Sequence, residues 1–156
     1  MYVASVLALL LLLPVASVGI ELSRPHEASL LSSCLHWFVF WGVGIRLLTA
    51  GFSQIIRPRY TAETILGLKG EDAQFVVREL GFSNTAMGVV GCLSGVWKSW
   101  QIPAAVAGAI FYCLAGANHH IHGKQTSKEV FAMLSDLGFA ALLTAMLIAS
   151  WRARGF

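Results

Sequence analysis

The sequence predicts an all-α integral membrane bundle of five transmembrane helices, or four preceded by a signal anchor, forming one domain over residues 1–156. Two observations carry this expectation. The composition is 56% hydrophobic and only 12% charged, with a mean hydropathy of +0.69, and a water-soluble fold of this size would leave too much of that surface exposed. A membrane-spanning helix needs about 20 mainly apolar residues, and five such runs occur, near 2–20, 30–56, 73–97, 101–121 and 129–151, joined by short connections that hold most of the charge.

The first run, from residue 3 to residue 20, lacks a basic leading segment and carries Pro14 in its second half. It reads as a retained helix, with a cleaved signal peptide as the competing reading. The second opens on the aromatic cluster Trp37, Phe38, Phe40 and Trp41, which reads as a lipid-facing or interfacial belt. Its exit, Arg57-Pro58-Arg59-Tyr60 through Glu71-Asp72, contains an amphipathic stretch at residues 61–68 that is expected to lie along the interface as a lid. In the third run Asn84, Gly88, Gly91 and Gly95 fall within about 60° of one another at 100° per residue, so that face is expected to meet another helix. In the fourth, Gly108, Tyr112, Ala115, His119 and His122 form a comparable stripe.

The net charge of +3, from 11 basic and 8 acidic residues, lies mostly between the runs and reads as membrane-flanking charge; no nucleic-acid partner is expected. Arg57, Arg59, Lys69, Lys124 and Lys128 at one side nearly balance Arg24, Lys98, Arg152 and Arg154 at the other, so the sequence does not orient the chain. Cys34, Cys92 and Cys113 sit in three different apolar segments and suit small buried hydrophobes better than a disulfide or zinc framework.

Ionisable groups inside a span cost roughly 2.5–3.5 kcal/mol each on the lenient insertion scale and therefore face a bundle interior and attract function. Here they are Arg46, Glu79 and Asp136, with His119 and His120 at a span end. Connectivity brings Gln54, Glu79, Asn118, His119, His120 and Asp136 to the same half. At 1.5 Å per residue, Glu79 is expected about 9 Å and Asp136 about 10 Å inside their helices, with Arg46 and Asn84 near mid-depth. A cavity open to one side fits this distribution. So does a purely structural arrangement, in which Arg46 pairs with Glu79 or Asp136 and the histidines cap the fourth helix.

As a chemical site, carboxylates and imidazoles in a dry pocket suit acid/base work. The candidate catalytic residues are Glu79 as acid or base, His119 or His120 as proton partner and Asp136 as orienting group; the candidate ligand-binding residues are Arg46, Asn84, Tyr112 and Asn118. A metal held by His119 and His122 with Glu79 or Asp136 is the weaker alternative, and five histidines are too few for a di-iron lipid oxidase. No GxSxG elbow or phosphate loop occurs.

Glu79-Leu80-Gly81-Phe82-Ser83-Asn84, with Gly88 and Gly91 downstream, resembles a family of small membrane proteins catalogued as domain of unknown function 6790. Gly116-Ala117-Asn118-His119-His120-Ile121 looks like that family's Gly/Ala-rich run ending in His-Ile, which puts His120 at the family histidine, and Asp136 resembles its final-helix Asp. Arg46 to Gly51 and Arg57-Pro58-Arg59-Tyr60 are similar to the opening of DoxX-like membrane proteins. The likeness covers roughly residues 40–140 and departs at Gly123-Lys124-Gln125-Thr126-Ser127, where the family has a loop rich in Asn, Pro and Gly, and at Gln74, which stands farther from Glu79 than in the family. It implies a helical bundle and marks Glu79, Asn84, His120 and Asp136; it implies no reaction and no cofactor, and the DoxX-like part only raises a quinone or redox partner.

The function expected first is binding of a lipophilic small molecule (a lipid, quinone or isoprenoid) in a polar intramembrane pocket, with acid/base catalysis as an extension. The alternative is a non-catalytic subunit or assembly factor of a larger membrane complex. The expected partners are accordingly the bilayer, that small molecule, and a membrane protein or further copies of the chain. The sequence leaves open whether the chain is an enzyme and which membrane holds it.

Overall fold

The computed structural model describes residues 2–24, 29–121 and 127–153, and among these the regular structure is helical, without strands. Five long helices follow one another up and down: α1 (Tyr2–Leu22), α2 (Leu30–Ile56), α3 (Glu71–Leu93), α4 (Lys98–Ile121) and α5 (Ser127–Ala153). α1, α2, α4 and α5 are long and apolar enough to cross a membrane. The expected fifth span, α3, has the length but not the composition, because Arg78, Glu79, Ser83, Asn84, Thr85 and three glycines dilute it. It also stops at Leu93, four residues short of the expected end, where a turn through Ser94 delivers the chain to α4.

Local chemistry sets the boundaries. Ser29 caps α2 by accepting from Ser32 N at 3.2 Å. α2 ends at Ile56 because Pro58 drives the preceding Arg57 out of the helical region, to φ −132° and ψ 58°. Gly67 and Gly70, with φ of 69° and 108°, turn the chain back towards α3, a conformation that disfavours other residues. Glu71 and Asp72 then lie in the first turn of α3, where negative charge suits the helix dipole. Pro14 is accommodated inside α1 because the preceding residues, Ala8–Leu12, widen to a π-helical turn around its missing N–H.

The core runs along one side of α2. Val39, Val43 and Leu47, spaced four apart, meet Ala104, Ala105, Ala109 and Tyr112 of α4 and Phe139, Ala140, Leu143 and Met146 of α5. Val6 and Leu10 of α1 close this core. The aromatic cluster near the start of α2, read as a lipid-facing or interfacial belt, is in part turned inward. Phe38 is in the core, while the indoles of Trp37 and Trp41 donate across to Glu21 and Ser17 of α1, so three of the four ring systems fasten helices together.

α3 lies on the other side of α2, and there glycine sets the spacing. A Cβ on Gly91 would land on the Gly44 backbone, one on Gly88 on that of Leu48, and one on Gly51 within 2.7 Å of Gly81 O. The face expected to meet a helix therefore meets α2, by direct backbone contact. Outward, the bundle exposes large apolar side chains, among them Leu12, Val15, Ile56, Ile110, Leu114, Leu134 and Ile148.

Gly91→Leu should lower bundle stability by about 3 kcal/mol or more, because backbone and not a movable side chain fills the space. Gly138→Leu, where nothing lies within 4 Å of an added Cβ, should leave it unchanged or raise it through helix propensity. Thermal unfolding of the detergent-solubilised protein checks both.

Candidate functional site

Arg46 lies ten residues inside the end of α2, about 15 Å along the helix, and its charge must be answered from within the bundle. The answer comes from α4 and α5. Arg46 Nη2 bonds Asp136 Oδ1 at 3.0 Å, with side chains only 12% and 9% exposed. Arg46 Nη1 donates to Tyr112 Oη at 3.2 Å, and the guanidinium carbon lies 5.0 Å from the centroid of the Tyr112 ring. The Tyr112 hydroxyl in turn donates to the Gly42 carbonyl. Gly42 sits in the π-helical stretch Val39–Ile45, where Arg46 N reaches back to Trp41 O. That widened register immediately precedes Arg46, as such turns often do at functional positions.

Two further pairs occupy the same half of the molecule, nearer the end that carries the α2–α3 and α4–α5 connections. Asn84 Nδ2 donates to Gln54 Oε1 at 2.8 Å, and both residues are buried. His119 Nδ1 lies 3.3 Å from Glu129 Oε1, with Glu129 at 2% exposure. Across this end runs the short π-helical segment Tyr60–Ile65, whose Thr61, Ala62 and Ile65 are buried against α2 and α3 while Lys128 of α5 stands 5.9 Å over the Tyr60 ring. The stretch expected to be interfacial is thus a cover folded onto the bundle. Among the described residues three buried side-chain polar atoms have no hydrogen-bond partner: Arg46 Nε and Asn84 Oδ1 in this half, and Ser33 Oγ near the other end of α2.

Of the residues expected to form a site, Arg46, Tyr112 and Asp136 come together in one network, and Asn84 and His119 join the same half through Gln54 and Glu129. Glu79, Asn118 and His120 are exposed and face away from it. Glu79 is exposed because it faces away from α2: Val77 and Gly81, two residues to either side of it, are buried, and Gly81 abuts Gln54 and Ile55. Of the two structural pairings weighed for Arg46, the one with Asp136 forms. His120, the histidine marked by the family resemblance, is exposed, whereas the stripe residue His119 is engaged. His122 and the loop residues 123–126 lie outside the described residues, and among the described residues no three His, Cys, Asp or Glu side chains converge as a metal site would require.

Glu129 and Gln54 escaped sequence reasoning as site residues. For Glu129 a signal existed: it stands seven residues before Asp136, which places both on one stripe of α5. Removing one partner of a buried pair strands the other charge, so Asp136→Asn should cost about 3–5 kcal/mol, while Arg46→Met with Asp136→Leu should restore most of the loss. A double-mutant cycle on thermal stability checks the sign of the coupling.

The comparisons with known proteins add one assignment. No curated protein and no solved structure matches the chain. A family model, described as Family of unknown function (DUF6790), matches residues 2–155. With nearly its whole length covered, from α1 through α5, the chain belongs to that family.

Proposed function

We propose that the chain is a multi-pass integral membrane protein that receives the polar end of a lipophilic small molecule, a lipid, quinone or isoprenoid, at the Arg46–Tyr112–Asp136 network. The observation that carries this reading is the incomplete satisfaction of this half of the bundle: Arg46 Nε in the network and Asn84 Oδ1 in the neighbouring amide pair are buried with no partner. An unpaired buried polar group costs about 1–3 kcal/mol. A ligand that offers an acceptor to Arg46 and a donor to Asn84 would relieve both costs. The Tyr60–Ile65 cover supports the same reading, since it is a short segment placed over that end.

For acid/base chemistry on such a ligand, the paired His119 and Glu129 are better placed than Glu79 as proton donor and acceptor, because they face the interior close to the cover. Asp136 is committed to Arg46 and acts by holding the guanidinium in place. Glu79 drops out of the proposed site and becomes a residue of the outer surface.

A specific observation favours a second reading, a non-catalytic subunit of a larger membrane complex. Around Glu79, α3 exposes Phe75, Val76, Leu80 and Phe82 next to Arg78, and this is the helix least suited to bare lipid. Such a face fits a protein neighbour better than acyl chains.

Alkaline extraction should leave the chain in the membrane pellet. Native mass spectra of the gently purified protein should then carry a reproducible small-molecule adduct that survives Glu79→Gln and is lost in Arg46→Met with Asp136→Leu. Absence of the adduct, or its persistence in the double variant, overturns the ligand reading. A stoichiometric protein partner lost on Glu79→Gln, without an adduct, establishes the second.

A further inference from the structure

At the end of the bundle opposite the cover, α1 and α2 enclose a cleft of about 280 Å³ lined by Ser17, Ile20, Glu21, Arg24 and Trp37. Its floor is fixed by two indole hydrogen bonds: Trp37 Nε1 donates to Glu21 Oε2 at 2.7 Å, and one turn along Trp41 Nε1 donates to Ser17 Oγ at 3.0 Å. The Glu21 carboxylate is thereby held in one orientation. One of its oxygens is engaged by the indole, and a carboxylate has acceptor capacity beyond that single bond.

The position of this cleft is readable from the chain. Residues 2–20 are uncharged, a run of 19 residues or roughly 28 Å of helix, so Glu21 falls where a hydrocarbon layer entered at Tyr2 would end. Trp37, Trp97, Trp100 and Trp151 lie towards this end of the bundle, as tryptophan does at the headgroup level of a bilayer, and Trp41 lies one turn deeper than Trp37. Arg24 follows Glu21 by three residues, so a cation and an anion share one face of the chain as it leaves the apolar layer. Beside them Leu13 and Ile20, on the same side of α1, are 37% and 57% exposed.

The geometry points to a headgroup site for a zwitterionic aminophospholipid, whose primary ammonium is accepted by Glu21 beside the Trp37 indole and whose phosphate is met by Arg24. The acyl chains lie along Leu13 and Ile20. A primary ammonium donates hydrogen bonds to the fixed carboxylate, which a trimethylammonium group cannot do. An anionic glycerol headgroup brings no cation and is repelled by Glu21. This inference rests on the membrane-inserted reading of the chain and is independent of the Arg46 network.

The full chain is reconstituted in nanodiscs of equal parts phosphatidylethanolamine, phosphatidylcholine and phosphatidylglycerol, released gently, and its retained lipids are weighed by native mass spectrometry. Ethanolamine lipid should be enriched about tenfold over the other two, the worth of one charge-assisted hydrogen bond. Glu21→Gln, whose amide oxygen still accepts from Trp37, should bring the ratio to that of the mixture, while Arg46→Met with Asp136→Leu should keep the enrichment. Equal retention in the unaltered chain, or enrichment that survives Glu21→Gln, overturns the headgroup site. A chain that does not enter the nanodiscs overturns the membrane reading as well, and is distinguished by the absence of any disc-bound protein.

Discussion

A guanidinium placed in the middle of a 27-residue apolar helix constrains everything packed around it. Arg46 cannot discard its proton and has five N–H donors to satisfy. The surrounding helices are arranged to meet that demand: α5 supplies a carboxylate, α4 supplies a phenol, and the phenol hands its own proton to a carbonyl of α2 one turn earlier. Three helices are thus tied at one level. The alanines of α4 at 104, 105 and 109 let those helices approach closely enough for the short contacts, and Phe139 lies edge-on to Tyr112, with ring centroids 5.1 Å apart, to exclude water from one side.

α3 is positioned by a different rule. It offers the Arg46 cluster no charge, and it is set against α2 by glycine, so its register follows from backbone contact at Gly44, Leu48 and Gly51. That register aligns Asn84 with Gln54 and sets Glu79 level with the end of α2. Glu79 lies between the buried Val77 and Gly81, on the face of α3 turned away from α2. The seam therefore decides which polar residues are interior and which are not.

The fold was largely legible, because apolar run length and small-residue stripes are direct consequences of a helix that must bury its own backbone. The pairing of Arg46 with Asp136 was legible for the same reason: an interior charge requires a partner, and candidates were few. What misled was reading position along the run without the helix face. The side of α3 that is buried carries Val77, Gly81 and Asn84, and Glu79 falls between the first two on the outside. The role of the indoles near the start of α2 was legible only in part. Tryptophan near a membrane boundary can be read from the run, but Glu21, 16 residues before Trp37, and Ser17, 24 residues before Trp41, could be recognised as acceptors only once α1 was laid beside α2.

The two ends of the bundle consequently do different physical work. At the end bearing the cover, polar side chains point inward, pair with one another and leave two atoms unanswered. At the other, aromatic rings and a clasped carboxylate surround a cleft between two helices. Desolvation penalises charge in the space between, and the Arg46–Asp136 ion pair there joins helices rather than ends. Binding at either end would be felt first by α2, the helix that carries Trp37, Gly44, Arg46 and Gln54 and so touches the cleft, the glycine seam, the ion pair and the buried amides in turn.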